Sequence, residues 1–285
     1  MDGSPPSPSS PAVPGTAGPG WGAAAGGPGG LRLLPALATA RRIGAFALIT
    51  LATLVQKRGV AGRVIHPLIA RQLVRAGIRP LWIVCLLGVA LGLVIVSQTL
   101  ELLVQVGQVK LTGPLLVTVV VREIGPLATA LVVLSRVGTA MVTELGMARA
   151  TGEVEALEAL GIDPIHYLVV PRVLGVTAGV FALAVYLILT ALASGYAFAF
   201  LRGLPLRPGE YFGLVAESLS WVDFPLLGLK TLAFGLLNSM IICYQGLAQP
   251  VRLDEVGGAT ARTVAQCFVA VIALDALFIG VYFLL

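Results

Sequence analysis

Long apolar runs alternate with short segments that hold most of the charged residues, and this alternation begins near position 80. A helix needs about 20 consecutive apolar residues to cross a bilayer, and five runs are long enough to do so. They cover residues 81–103, 112–134, 169–200, 226–244 and 264–285. The pattern predicts an all-α, polytopic membrane protein with five transmembrane helices.

The chain ahead of these runs divides into two further segments. Residues 1–30 consist almost wholly of Gly, Pro, Ser and Ala, which cannot bury enough apolar surface to fold, so we expect a disordered tail. Residues 31–58 are apolar but bracketed by basic side chains, and their uncharged run, 43–55, is too short to cross a bilayer. We therefore predict an amphipathic helix over residues 31–58 that lies along the membrane interface.

Composition supports a membrane protein and excludes an ordinary soluble domain. Charged residues make up 12% of the chain and hydrophobic residues 57%, whereas soluble domains average about 25% and 45–50%. The net charge of +5 could indicate nucleic-acid binding, but the basic residues are scattered between the apolar runs and form no single patch. No nucleic-acid partner is therefore expected.

The distribution of Lys and Arg predicts the orientation in the membrane. These residues are concentrated before the first run, after the second and after the fourth, while the alternate connections hold few of them. Basic connections stay on the cytoplasmic side. The N-terminus is therefore predicted to be cytoplasmic and the C-terminus to lie outside.

An acidic segment, residues 150–164, stands out in the connection after the second run. Its acids are Glu153, Glu155, Glu158 and Asp163. We predict a short cytoplasmic helix over about residues 152–161, with Thr151 as its N-cap and Gly161 at its end.

The predicted short helix has two faces. Val154, Leu157 and Leu160 gather on one side, while Glu155 and Glu158 share another. Such a helix beneath the membrane is either a docking surface for a partner protein or a connection packed on its own bundle, and the residues alone leave both interpretations open.

Two adjacent charges, Arg122 and Glu123, fall near the middle of the second run. Placing a charge at the centre of a transmembrane helix costs about 2.5–3.5 kcal/mol, so they should face the bundle interior or a wet cavity. Neighbouring helix positions point about 100° apart, so each charge needs its own partner. The candidates are Lys230 for Glu123, and Asp275 for Arg122 or Arg136. The set is either an ion-pair network that fixes helix register or the polar lining of a site.

The sequence contains no catalytic or nucleotide-binding motif. It has no Gly-Lys dipeptide and hence no P-loop, and neither HExxH nor GxSxG occurs. The three cysteines lie singly in apolar runs, and His66 and His166 are far apart. Neither a metal site nor a cofactor is expected.

The central motif, REIGPLATALVVLSRVGTAMVTELGMARATGEVEALEALGIDPIHYLVVPRVLG (residues 122–175), resembles the MlaE (YrbE) family of ABC-transporter permeases, which includes plastid lipid-importer permeases. The likeness extends from about residue 63 onward and includes VRLDEVGGATARTVAQ before the last run. It implies that residues 59–285 form one permease domain, and that two subunits pair as a homodimer around a central lipid cavity. It also implies that the predicted short helix is a coupling helix that docks on a separate ABC ATPase.

The same resemblance implies roles for individual residues. Glu123 would lie near the cavity that binds a phospholipid, and a lipid-binding subunit with an MCE domain would be a further partner. The membrane would be a bacterial inner membrane or a plastid envelope. The chain departs from the family pattern at Gly152, where an acidic residue is usual, and at Ser135, where a glycine is usual. The implied contacts with the ATPase are Glu153, Glu155, Leu157, Glu158 and Leu160.

The alternative function is an ion-coupled secondary transporter that uses Glu123 and Asp275 as relays. Such carriers often consist of two repeats, and five spans do not divide into equal halves. A passive scaffold is a third interpretation, but it leaves the charges within the membrane without a purpose.

Overall fold

A computed structural model describes residues 33–56, 62–203, 207–248 and 256–284. Every regular element within these ranges is helical, and five helices there are long and apolar enough to cross a membrane. They are α2 (His66–Gln105), α3 (Val109–Ala150), α5 (Ile165–Leu201), α7 (Asp223–Leu247) and α8 (Gly257–Tyr282). The predicted all-α architecture with five spans is confirmed. The predicted tail, residues 1–30, lies outside the described residues.

Shorter helices connect or precede the spans. They are α1 (Leu33–Gln56), α4 (Glu153–Ala159) and α6 (Pro208–Ser218). The first of these confirms a helix within the segment predicted to be interfacial. From Ala40 onward the described chain is one compact unit, in which the ring of Phe46 packs edge-on against Tyr244 of α7. The position of α1 along a membrane surface stays a prediction.

The second span is longer than its apolar run predicts. The run ends before Arg136, yet α3 continues to Ala150 and has 42 residues in all, because its later charges lie at the surface or are paired. Arg136 is exposed, and the carboxylate of Glu144 pairs with Arg75 of α2. Arg122 and Glu123 therefore lie about a third of the way along α3, although they lie near the middle of its apolar run, and their depth in the membrane stays a prediction.

Wide π-helical turns interrupt the spans. The longest contains both Arg122 and Glu123 and ends directly before Gly125 and Pro126. Such turns are rare and frequently occur at functional sites. The π segments are Val74–Ile78 and Gly92–Val96 in α2, Val117–Ile124 and Leu134–Gly138 in α3, and Ile165–Val169 at the start of α5.

The central helix of the bundle is α5, which packs along α2 and along α7. The contact with α2 requires a glycine at position 92, because a Cβ there would overlap the backbone carbonyl of Ala191. Leu187 of α5 and Phe234 of α7 are fully buried in the main core. Residues of α2, α3 and α7 thus surround α5 and hold it at the centre.

The least enclosed span is α8. Only 17% of its most apolar stretch is buried inside the protein, compared with 33–56% for the other four spans. Its outward-facing residues include Val269 and Ile272, which are 66% and 45% exposed. This helix therefore offers an apolar face to lipid or to a second subunit.

Candidate functional site

A cavity of about 290 Å³ lies between α3, α7 and α8, toward the ends of these helices that lie away from α4. Apolar side chains make up most of its wall, and several of them are open to the outside. Leu229, Leu277 and Val281 are 59%, 59% and 43% exposed, so the cavity opens on the outer face of the bundle. The charged residues of its wall are Arg122, Glu123, Asp223 and Lys230.

Lys230 lies at the centre of the buried charges. Its Nζ is 2.7 Å from Oε2 of Glu123 and 2.7 Å from Oδ1 of Asp275. The same Nζ donates a hydrogen bond of 2.9 Å to the backbone carbonyl of Arg122. That carbonyl lacks its usual helical donor because residue 126 is Pro126, which has no N–H. The predicted pairing of Glu123 with Lys230 is confirmed.

Arg122 pairs with a carboxylate that the apolar pattern did not indicate. Its Nε is 2.8 Å from Oδ1 of Asp223, and its Nη2 donates to Oδ2 at 3.0 Å. Its Nη1 donates to the hydroxyl of Tyr282, and the guanidinium lies 4.7 Å from the centre of that ring. The predicted pairing of Arg122 with Asp275 is wrong, because Lys230 holds Asp275 and Asp223 satisfies the arginine.

Arg136 does not join these charges. It lies 14 positions beyond Arg122 on the same helix, about 20 Å along the axis, and is exposed on the half of α3 nearer α4. The predicted pairing of Arg136 with Asp275 is therefore also wrong. Its neighbours across a separate groove are Arg75 and Arg79.

Asp223 and Tyr282 are the site residues that sequence reasoning missed. The apolar run of α7 begins after Asp223, and Tyr282 falls inside the last apolar run, so neither stood out as polar. One signal was available for Asp223, since a carboxylate in the first turn of a helix is favoured by the helix dipole. The backbone N–H of Ser220 also donates to Oδ2 of Asp223, at 2.8 Å.

The charged side chains fall into two groups by exposure, those that link the helices inside the bundle and those that line the cavity. Lys230, Asp275 and Asp223 are only 7%, 12% and 3% exposed, so they join α3, α7 and α8 from within. Arg122 and Glu123 are 22% and 33% exposed and line the cavity. The cavity therefore combines apolar walls with one charged end, an arrangement suited to an amphiphilic molecule.

The short helix α4 forms a second candidate site, at the other end of the bundle. Its N-cap is Gly152, which has a left-handed backbone with φ of 77°. The prediction that Thr151 is the N-cap is wrong, because the hydroxyl of Thr151 donates backwards to the carbonyl of Met147 at 3.0 Å and closes α3. The predicted end is confirmed: Gly161 has φ of 74°, and the N–H of Ile162 donates to the carbonyl of Leu157 at 2.9 Å.

The apolar residues of α4 do not form one uniform face. Val154 is 3% exposed and belongs to the core, and Leu157 packs against that core, whereas Leu160 is 75% exposed. Glu153, Glu155 and Glu158 are all exposed. One side of α4 thus packs on the bundle, while an acidic surface with a free leucine faces outward.

Five spans, three of which line an amphiphilic cavity, with a short acidic helix beyond the end of α3, are the features of an integral membrane protein that binds an amphiphile. Residues 69–281 match the family described as permease MlaE. The chain therefore belongs to the MlaE permease family, as the central motif predicted. It is a permease subunit of an ABC transporter and not itself an enzyme.

Relatives from three lineages share this similarity. The intermembrane phospholipid transport system permease protein MlaE of Haemophilus influenzae is 28% identical over 221 residues, which are 76% of this chain and 83% of the relative. A probable ABC transporter permease of Synechocystis is 31% identical over 210 residues, 68% of this chain and 71% of the relative. The chloroplastic protein TRIGALACTOSYLDIACYLGLYCEROL 1 of Arabidopsis thaliana is 28% identical over 210 residues, 72% of this chain and 58% of the relative.

Proposed function

We propose that this permease moves phospholipids or related lipids between membranes, driven by a separate cytoplasmic ABC ATPase. The observation that carries this proposal is the cavity between α3, α7 and α8, where Arg122 and Glu123 form a charged end among apolar walls. The name of the Haemophilus relative, which states phospholipid transport, supports the same substrate class.

The cavity suits the headgroup end of a lipid. Its volume of about 290 Å³ is at the lower limit of pockets that hold small ligands, so the acyl chains would leave it along the exposed Leu229, Leu277 and Val281. Glu123 contacts or gates the headgroup, because its Oε2 is held by Lys230 while a third of the side chain remains open.

A homodimer would close this open side. The exposed apolar face of α8 lies beside the cavity, and Leu277, Phe278 and Val281 of α8 line it. Two copies that pair through α8 would enclose the acyl chains between them and turn two open cavities into a shared central one.

Coupling to the ATPase falls to α4. The exposed carboxylates Glu153, Glu155 and Glu158 and the free Leu160 face outward, while Val154 and Leu157 tie the helix to the bundle. A force on the outer surface of α4 would reach the spans through the buried residues. Leu157 also contributes its partly exposed edge to the ATPase contact.

We also propose that α4 and the N-terminus lie in the cytoplasm and the C-terminus outside, in a bacterial inner membrane, because Lys and Arg are concentrated in the connections on the α4 side. A single-span subunit with an MCE domain is the proposed lipid-binding partner on the outer side.

The experiment that tests this function is affinity purification of the tagged protein from its native membrane in mild detergent. Mass spectrometry would identify the stoichiometric partners and the bound lipids. An ATPase, an MCE-domain subunit and co-purifying phospholipid are expected. A homo-oligomer that retains neither partner nor lipid would contradict the proposal.

The linked Glu123, Lys230 and Asp275 keep an ion-coupled secondary transporter as the second candidate, because they connect three spans by charged groups. Proton flux in vesicles that lack any ATPase separates the two functions. Flux that stops in an Asp275→Asn variant would favour the ion-coupled transporter.

A further inference from the structure

A second groove, separate from the cavity above, lies between α2 and the later half of α3. It has a volume of about 340 Å³, and three arginines line it together with an indole ring. The residues that define this basic groove are Arg75, Arg79, Trp82 and Arg136.

The arginines of the basic groove differ in their partners. Arg75 pairs through both terminal nitrogens with the carboxylate of Glu144. Arg79 and Arg136 are exposed, and among the described residues neither has an acidic partner. Two guanidinium groups thus line one groove without an acidic partner in the part of the chain that the structure describes.

The depth of the groove is set by the apolar runs of its two helices. Arg79 comes just before the run at 81–103, and Arg136 comes just after the run at 112–134. Each run would extend about 34 Å as a helix, close to the roughly 30 Å thickness of the hydrocarbon core. Because the two helices are antiparallel, both arginines lie at the same edge of the hydrocarbon, at the level of lipid headgroups.

Trp82 supports this placement. Its indole is 65% exposed, lines the basic groove and follows Arg79 by three positions. Tryptophan is enriched at the boundary between headgroups and hydrocarbon, where its apolar ring and its N–H are both satisfied.

We propose that the basic groove binds the phosphate of an anionic lipid in the leaflet on the α4 side. Arg79 and Arg136 bind the phosphate oxygens, since guanidinium groups match phosphate with paired hydrogen bonds. Trp82 and Ile83 contact the upper part of the acyl chains. This site is distinct from the cavity at Arg122, which lies nearer the other end of the bundle.

Fluorescence of Trp82 tests the proposal. The chain has three tryptophans, so Trp21→Phe and Trp221→Phe in the full-length protein leave Trp82 as the sole reporter. In phosphatidylcholine nanodiscs, brominated phosphatidylglycerol should quench Trp82 more than brominated phosphatidylcholine at equal mole fraction. The apparent preference should fall roughly fivefold for each arginine removed by Arg79→Gln or Arg136→Gln.

A matched control removes two positive charges that lie outside the basic groove. Arg71→Gln with Lys110→Gln alters two exposed cations outside the basic groove and should keep the preference for phosphatidylglycerol. The unfolding temperatures of all variants are compared first. If the Arg79→Gln, Arg136→Gln double variant fails to fold, the two single variants replace it. Equal quenching by the two lipids, or a preference that survives Arg79→Gln with Arg136→Gln, would overturn the proposal.

Inorganic phosphate separates a lipid site from a site for a soluble anion. A lipid is anchored by its acyl chains, so added phosphate should leave the quenching by phosphatidylglycerol unchanged. Saturable competition by inorganic phosphate would assign the groove to a soluble anion and would also overturn the proposal.

Discussion

The Nζ of Lys230 is hydrogen-bonded at 2.9 Å to the backbone carbonyl of Arg122, in addition to its two carboxylate partners. The lysine of α7 is therefore fixed by the backbone of α3 as well as by charge. Pro126 has no N–H and therefore cannot donate to this carbonyl, as residue 126 would in a regular α-helix.

Removal of this lysine should destabilise the bundle. In Lys230→Met, Glu123 and Asp275 lose the cation that joins them, and breaking a buried pair costs about 3–5 kcal/mol. We expect a loss of that order in the free energy of unfolding, measured with denaturant in detergent micelles. Lys110→Met, at an exposed site, should change it by about 0.5 kcal/mol or less. Equal stability of the two variants would contradict the central role of Lys230.

Glu123→Gln should separate function from folding. The amide keeps the size of the side chain and can still accept a hydrogen bond from Lys230, but it removes the charge that faces the cavity. Lipid transport by the reconstituted complex should fall at least about tenfold if one charged interaction of about 1.4 kcal/mol is lost. Glu101→Gln, in an exposed pair with Arg202, is the matched control and should retain transport. Unchanged transport by an assembled Glu123→Gln complex would exclude a role at the headgroup.

Charge reversal on α4 should weaken the ATPase contact. Glu155→Lys with Glu158→Lys inverts the outward surface, and the only ion pair it breaks among the described residues is the exposed one with Arg149, at 3.5 Å. We expect less ATPase to co-purify while the unfolding temperature stays the same. Glu217→Lys, at an exposed position near the end of α6, is the control. A normal yield of ATPase with the α4 variant would argue against coupling through this helix.

Gly152 should tolerate only residues that accept a left-handed backbone. Its φ is 77°, and a Cβ would meet no other atom within 4 Å, so the cost of Gly152→Ala is conformational, about 1–2 kcal/mol. Gly152→Asn should cost less. Gly209→Ala is the control, because Gly209 is equally open and its φ is not positive. The cost is measured as a lower unfolding temperature and weaker ATPase binding. If Gly152→Ala and Gly209→Ala had the same unfolding temperature and bound the ATPase equally, the prediction would be wrong.

Pairing through α8 should appear in cross-linking. Val269→Cys places a thiol on the exposed face of α8, whereas Leu189→Cys places one at a similarly exposed position of α5. Oxidation in native membranes should join two chains through position 269 and not through position 189. Both variants are made with Cys85→Ser, because Cys85 is only partly buried, whereas Cys243 and Cys267 are buried and contribute little background. Cross-linking through position 189 alone would contradict pairing through α8 and would indicate an interface at α5.

The sequence was sufficient for the number of spans and for the pairing of Glu123 with Lys230. Apolar runs report which segments enter a bilayer, and opposite charges at compatible depths restrict the partners within it. The sequence did not predict the partner of Asp275. Lys230 pairs with two carboxylates, whereas the charge pattern alone assigns one carboxylate to each cation.

The ends of the helices were also predicted poorly from the sequence. Charge after residue 134 marks the end of an apolar run but not of a helix, since a helix continues into the headgroup region as long as its charges reach water or a partner. Thr151 was assigned as an N-cap from residue type, yet the glycine beside it determines the turn. Contacts between distant helices, as at Tyr282, leave no trace in local pattern.

The eight-residue π segment of α3 contains Arg122 and Glu123, so a change in its hydrogen-bond register would reorient both side chains. A register step of one residue rotates one end of α3 against the other by about 100°. Such a step would move Glu123 away from Lys230. Because α4 follows the other end of α3, it is the place where a movement of the ATPase would act on this helix.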